Sequence, residues 1–118
     1  MSDLKDFEDM KVWQDAQALA CEVYKDFQNS KDFSFKDQIT RAAVSISNNI
    51  AEGAEQSTST EFSRFLDIAK GSTGEVRSMY RLAQRLNLLP LETVEHRSAL
   101  CVEISKQLAG FAKYLRAK

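Results

Sequence analysis

Apolar positions recur along the whole chain at spacings of three and four residues, the period of a helix with one buried face. Polar breakers interrupt this pattern at residues 29–32, 53–60 and 87–90. The remaining segments predict four helices, at about 10–28, 35–54, 59–86 and 91–116. Four long helices joined by short connections are typical of an antiparallel up-down four-helix bundle. The pattern therefore predicts an all-α fold in a single domain over residues 1–118.

Each predicted helix has an apolar face that we expect to form the core. From the first helix to the fourth, these positions are Trp13, Ala16, Leu19, Ala20, Val23, Tyr24, Phe27, Phe35, Ile39, Ala42, Ala43, Ile46, Ile50, Phe62, Phe65, Leu66, Ala69, Val76, Tyr80, Ala83, Val94, Cys101, Ile104, Leu108, Phe111 and Leu115. Arg97 falls within the face of the fourth helix, as one polar position in an otherwise apolar seam.

Residues with known preferences for helix ends support these boundaries. Ser34 is the expected N-cap of the second helix, and Thr58 begins an S/T-x-x-E capping box before the third. Asn87 suits a left-handed cap after the third helix, and Pro90 suits the first turn of the fourth.

Composition limits the classes of protein that fit. The chain has 118 residues and a net charge of −1, from 16 Lys and Arg against 17 Asp and Glu, so it lacks the uniformly basic character of an obligate nucleic-acid binder. Cys21 and Cys101 belong to no C-x-x-C pair, which favours free thiols in a reducing compartment. No apolar stretch is long enough to cross a membrane, and the first ten residues lack the apolar region of a signal peptide. We therefore expect a cytoplasmic protein without a membrane role.

Residue patterns for catalysis, metals and cofactors are missing from the sequence. His96 is the only histidine, and no Cys or second His stands at ligand spacing from it. The chain has neither a G-x-S-x-G turn nor a phosphate-binding glycine loop. Gly71 and Gly74 lie in the middle of a predicted helix, which indicates close packing of another helix there. The sequence predicts no catalytic residue, metal site or cofactor, and hence no enzyme.

Two polar strips border the apolar faces of the second and third helices. If these helices form an antiparallel hairpin, one register pairs Arg41 with Glu75 and Arg64 with Glu52. The same register places Ser45 opposite Gly71. We interpret the strips as a structural seam of ion pairs between the two helices, with a ligand site as the alternative.

Charge is segregated between the two halves of the chain. Residues 1–59 carry six basic and eleven acidic side chains, whereas residues 60–118 carry ten and six. An acidic stripe is expected outside the core of the first helix, at Asp15, Glu22 and Asp26, and a basic stripe on the third helix, at Lys70, Arg77, Arg81 and Arg85. Three interpretations stay open for the basic stripe: a solvated surface, a phosphate-binding surface, or a contact with the acidic stripe of a neighbouring subunit.

Three runs of sequence carry a family resemblance: DMKVWQDAQALACEVY at 9–24, QITRAAVSISNNIAEGAEQ at 38–56 and EFSRFLDIAKGSTGEV at 61–76. Together they resemble the four-helix-bundle family of 23S rRNA intervening sequence proteins, which is similar to the accessory variability proteins of diversity-generating retroelements. The family's characteristic polar residues, which we call the polar seam, fall on Arg41, Ser45, Asn49, Glu52, Gly53, Arg64, Gly71, Ser72 and Glu75. Ser47 stands where many relatives have a proline that kinks the second helix.

The resemblance implies a bacterial source, an antiparallel bundle that assembles as a homopentameric ring, and no catalytic residues. We therefore expect a non-enzymatic, ring-forming accessory protein. The retroelement proteins are strongly basic, whereas this chain has a pI near 5.8, so we expect weak binding of RNA or DNA at most, through the basic stripe. The alternative is a protein-interaction scaffold with no nucleic-acid role.

Overall fold

The computed structural model describes residues 6–118 and contains four long helices. A short 3-10 turn at Phe7–Asp9 precedes α1 (Lys11–Asp26), α2 (Phe33–Ala54), α3 (Ser59–Arg85) and α4 (Leu91–Arg116). Each helix packs against the next one in the chain, and α1 also packs against α4, so that α1 and α3 lie diagonally across the bundle. Residues 6–118 contain no β-strand. The predicted all-α bundle is confirmed, as an elongated molecule of 47 × 21 × 20 Å.

Helix starts follow the side chains that satisfy free backbone N–H groups. Thr58 accepts a hydrogen bond from the backbone N–H of Glu61 at 3.2 Å, which confirms the predicted start of α3. The prediction for α2 is wrong, because Asp32 rather than Ser34 is the N-cap. The Asp32 carboxylate accepts a hydrogen bond of 3.1 Å from the third residue of the helix, and α2 therefore begins at Phe33.

The end of α3 is closed by the predicted left-handed residue. Asn87 has a φ of 60°, and its N–H donates to the Gln84 carbonyl at 3.0 Å. The N–H of Leu88 donates to the Ala83 carbonyl at 2.9 Å, which completes a Schellman motif. Pro90 is the N-cap of α4, with an extended backbone at ψ 149°, and not a residue of its first turn as expected.

Apolar side chains from all four helices form one core. The six predicted core positions of α2 are all buried. On α1 the prediction is wrong for Tyr24, which is exposed, and Val12 joins the core instead. Tyr24 directly follows the buried Val23 and so lies about 100° around the helix from it, beyond the edge of the buried face.

Candidate functional site

The middle of the polar seam is a hydrogen-bonded contact between α2 and α3. The hydroxyl oxygens of Ser45 and Ser72 lie 2.9 Å apart. Asn49 Nδ2 donates to the carbonyl of Ser45 at 2.8 Å and to its hydroxyl at 2.9 Å. The structure thus has the antiparallel hairpin that the sequence predicts, but Ser45 faces Ser72 rather than Gly71. Neighbouring positions on a helix point about 100° apart, and Gly71 lies on the exposed side.

The predicted ion pair between Arg41 and Glu75 is wrong. Arg41 lies 3.9 Å from Asp37, one turn earlier on its own helix, and both side chains are exposed. Glu75 instead accepts a hydrogen bond from Gln38 Nε2 at 3.2 Å. Arg41 and Glu75 do line the same open groove between α2 and α3, together with Ser45 and other polar residues. Exposed ion pairs of this kind contribute about 0–1 kcal/mol to the stability of the fold. The charged residues of the polar seam therefore do not hold α2 and α3 together.

The second predicted pair, between Arg64 and Glu52, is also wrong. Arg64 pairs with Glu61 at 3.3 Å, and its guanidinium lies over the Phe65 ring at 5.5 Å from the centroid. Glu52 is exposed and borders a shallow hollow near Phe7. A partner one turn away on the same helix is closer than one across the hairpin, and this explains both errors.

Glycines of the polar seam have two different surroundings. A Cβ built at Gly53 would lie 2.8 Å from Phe62 Cδ1 and 2.8 Å from Phe65 Cβ, so Gly53 permits the close approach of α2 and α3. A Cβ at Gly71 or Gly74 would meet nothing within 4 Å. The prediction that Gly71 and Gly74 allow close helix packing is therefore wrong within this chain, and both leave open surface on α3.

The first member of the predicted acidic stripe has partners within the chain. Asp15 accepts hydrogen bonds from Lys11 at 2.7 Å and from Gln107 of α4 at 2.8 Å. Burial raises the pKa of Asp15, but these two hydrogen bonds outweigh it and lower the pKa overall. Lys11 has a raised pKa because it donates to Asp15.

The other two members of the acidic stripe join a cluster that links α1 to α3 and α4, which we call the Asp26 cluster. Arg97 donates to Asp26 Oδ2 through Nε at 2.7 Å and to Oδ1 through Nη2 at 3.0 Å. Tyr80 donates its hydroxyl to Asp26 Oδ2 at 2.7 Å, and Glu22 lies 3.0 Å from Arg97. Burial and the bond to Asp26 raise the pKa of Tyr80, and the bond to Asp26 also raises the pKa of Arg97.

Burial decides how the Asp26 cluster is interpreted. The side chains of Asp26 and Arg97 are only 10% and 14% exposed, so the expected placement of Asp26 on a surface stripe is wrong. Two features of the sequence pointed to this contact, namely Arg97 within an apolar seam and Asp26 at the end of α1. Only the antiparallel packing of α1 against α4 brings the two side chains together.

Half of the predicted basic stripe is bonded to α4. Arg77 Nε donates to the Ser98 hydroxyl at 3.3 Å. Arg81 lies 2.5 Å from Glu95 and also donates to Ser98 at 3.4 Å. The charge of Arg81 is therefore neutralised within the chain, whereas Arg77 keeps its charge beside a neutral hydroxyl.

Lys70 and Arg85 are the members of the basic stripe that are not bonded to α4 within residues 6–118. Both are exposed, and neither forms an ion pair within residues 6–118. Lys70 borders a hollow between α3 and α4. Arg116 of α4 pairs with Asp67, a carboxylate that lines the same hollow as Lys70. The stripe thus presents three positive charges, at Lys70, Arg77 and Arg85.

Sequence reasoning missed a row of apolar residues on the outside of α3. Ile68, Leu82 and Leu86 are 43%, 46% and 52% exposed and occupy one side of the helix, which we call the outer apolar face. Gly71 and the exposed Glu75 lie between Ile68 and Leu82, which are about 21 Å apart along the helix. The available signal was their spacing of fourteen and four residues, which continues a helical line beside the core.

The structure describes no arrangement of side chains that indicates catalysis. His96 is exposed, and its Nδ1 lies 3.2 Å from Arg97 Nη1. Within residues 6–118, no group of three or more His, Cys, Asp and Glu side chains could hold a metal ion. Cys21 is exposed, whereas burial raises the pKa of the Cys101 thiol to about 11. Among the helices that the structure describes, none combines the length and apolar character needed to cross a membrane.

Comparisons with known proteins agree with this fold. The chain is similar to a crystal structure of a protein of unknown function from the S23 ribosomal protein family of Bacteroides thetaiotaomicron VPI-5482, with a TM-score of 0.81 and 26% identity over 86% of this chain and 98% of that chain. No curated protein matches the sequence. The model of the 23S rRNA-intervening sequence protein family matches residues 8–110. The chain therefore belongs to the family of 23S rRNA-intervening sequence proteins.

Proposed function

We propose that this protein is a non-enzymatic accessory protein that assembles into a closed ring of identical subunits and presents a binding surface on that ring. The observation that carries the proposal is the outer apolar face, where Ile68, Leu82 and Leu86 are each about half exposed on one side of α3. Exposed apolar residues grouped on one side of a helix favour an interaction surface. The family resemblance leads us to expect five subunits.

Burial of apolar side chains favours the contact between subunits more strongly than pairing of the acidic and basic stripes does. Covering the exposed half of a leucine or isoleucine contributes about 1 kcal/mol, so the three residues of the face would contribute about 3 kcal/mol at each contact. By contrast, Asp15, Glu22 and Asp26 already have partners within the chain. We therefore assign the subunit contact to the outer apolar face and not to pairing of the acidic and basic stripes. A ring requires that this face meet a different surface of the next subunit.

Multi-angle light scattering on a sizing column tests the assembly. We expect the wild-type chain of 13.3 kDa to elute as one species, with a mass of about 66 kDa for five subunits. Leu82→Glu should give smaller species, because it places a charge in the apolar contact. Tyr114→Glu is the control, since Tyr114 is a large side chain on α4 that is even more exposed than Leu82. A wild-type mass near that of one subunit at micromolar concentration would rule the ring out.

A second candidate function is weak binding of nucleic acid by the assembled ring. The observation that favours it is the three positive charges of the basic stripe, at Lys70, Arg77 and Arg85, that no carboxylate neutralises within residues 6–118. A ring would repeat this weak site in every subunit and so add the contacts together. Co-purification of nucleic acid in low salt, seen as a raised ratio of absorbance at 260 nm to 280 nm, distinguishes this candidate from a scaffold that binds only proteins.

A further inference from the structure

The surface between α3 and α4 contains an open, polar hollow. Asp67, Lys70, Gly71, Gly74 and Ser105 line it. Because a Cβ at either glycine would meet nothing within 4 Å, the floor of the hollow is bare helix backbone that a ligand can approach closely. The hydroxyl of Ser105 supplies a hydrogen-bond donor at its edge. We call this surface, with the basic stripe that continues it, the α3–α4 groove.

Positive charge dominates along the α3–α4 groove. Lys70, Arg77 and Arg85 follow one another on α3 and span about 22 Å at 1.5 Å per residue. Two carboxylates beside these cations are already paired, Asp67 with Arg116 and Glu95 with Arg81. A negatively charged polymer lying along the groove would therefore meet three free cations.

We propose that the α3–α4 groove binds the phosphodiester backbone of nucleic acid through Lys70, Arg77 and Arg85. This inference deepens the second candidate function and rests on it. Arg81 takes no direct part, because Glu95 holds its guanidinium at 2.5 Å. The Ser105 hydroxyl donates a hydrogen bond to a phosphate oxygen in the hollow.

The character of the groove favours a nucleic-acid backbone over an acidic peptide. Phosphate binding needs cations and hydrogen-bond donors, both of which the groove supplies. Tight peptide interfaces depend on apolar or aromatic anchors that fill pockets, and the hollow has none among its lining residues. Contacts to phosphate carry no sequence information, so binding through these cations is independent of base sequence.

Salt dependence gives the proposal a quantitative form. Each phosphate contact with a single strand changes log K by about −0.7 per unit of log salt concentration, so three contacts give a slope of about −2 per subunit. Raising the salt from about 50 to 200 mM then weakens binding about 20-fold for one subunit. Several subunits of one ring contacting the same strand make the slope steeper.

The experiment measures fluorescence anisotropy of labelled 20-nucleotide oligouridylate and oligothymidylate with the full-length protein. We expect equal affinity for the two polymers, and Lys70→Glu and Arg85→Glu should each weaken binding about tenfold or more at low salt. Lys106→Glu is the matched control, because it makes the same charge change at an exposed lysine that forms no ion pair within residues 6–118 and lies on the opposite side of α4, beside α1. Arg77→Ala provides a further variant without charge reversal.

Arg81 and Glu95 provide a test that a general loss of stability would not imitate. The double change Arg81→Ala and Glu95→Ala should leave binding unchanged, because it removes a pair whose charges already cancel. Glu95→Gln should tighten binding a few-fold, since it removes a negative charge and frees Arg81 for a fourth phosphate contact. Loss of binding in Glu95→Gln, or tighter binding to poly-glutamate than to either oligonucleotide, overturns the proposal.

Two measurements separate this inference from the proposed assembly. Equal weakening by Lys106→Glu and Lys70→Glu would show that only net charge matters, and the groove would be rejected. Light scattering on every variant reports the mass of the same sample. A monomeric protein that binds through Lys70 and Arg85 contradicts the ring and keeps the groove, whereas an intact ring that binds neither oligonucleotide at 50 mM salt contradicts the groove alone.

Discussion

Removal of the Asp26 carboxylate should strongly destabilise the bundle. Asp26→Ala leaves the guanidinium of Arg97, which is 14% exposed, without its bidentate partner, and leaves the Tyr80 hydroxyl without an acceptor. Breaking a buried ion pair by removing one partner costs about 3–5 kcal/mol. Glu22 still lies 3.0 Å from Arg97 and keeps part of its charge compensated, so we expect the lower end, about 3 kcal/mol.

Two control substitutions set the scale for this loss. Tyr80→Phe removes one hydrogen bond and keeps the ion pair, so it should cost about 1 kcal/mol. Asp15→Ala removes a carboxylate from the same helix whose side chain is more exposed, and it should cost less than about 1 kcal/mol. For 118 residues the entropy of unfolding is about 250 cal/mol/K, so a loss of about 3 kcal/mol lowers the melting temperature by about 12 °C.

Urea denaturation followed by circular dichroism measures these changes. Each protein should be tested at several concentrations, because subunit association raises apparent stability. In a double-mutant cycle, Asp26→Ala combined with Arg97→Ala should cost less than the sum of the single changes, since the second removes the charge that the first leaves unpaired. If Asp26→Ala lowers the free energy of unfolding by less than about 1 kcal/mol, or if the losses in the cycle are additive, the Asp26 cluster is not a stabilising buried ion pair.

The remaining predictions concern glycines and thiols. Gly53→Ala should lower the free energy of unfolding by about 1–3 kcal/mol, because its Cβ meets two phenylalanines of α3 at 2.8 Å. Gly71→Ala and Gly74→Ala should each raise it by about 0.5–1 kcal/mol in the same urea assay, because their Cβ atoms meet nothing within 4 Å and alanine favours the helix. A thiol reagent should modify Cys21 rapidly in the native protein and Cys101 only on unfolding, and rapid reaction of two thiols would contradict the burial. The folded state keeps the Cys101 proton until about pH 11, while an unfolded thiol loses it near pH 9. The free energy of unfolding should therefore fall by about 2–3 kcal/mol as pH rises through that interval, and Cys101→Ala should flatten the fall measured by urea denaturation at each pH.

The sequence by itself determined the helices and most of the core. Apolar spacing placed the four helices within two residues of their observed ends, since a helix with one buried face repeats every 3.6 residues. Local signals worked where the interaction is local, as with the capping box at Thr58 and the left-handed Asn87. They failed at Ser34, because Asp32 lies two residues earlier and is an equally good cap.

Tertiary structure alone decided which polar residues meet and which stay in solvent. The ion pairs expected at Arg41 and Arg64 do not form, because α3 faces α2 one residue away from the expected position and each residue along a helix points about 100° from the last. Acidic partners on the same helix are also closer to both arginines. The same packing buries Asp26 against Arg97 from a position seventy-one residues away, which no spacing along the chain encodes. Helical periodicity reports the side of a helix that is buried, whereas charge pairing depends on how two helices are set against each other.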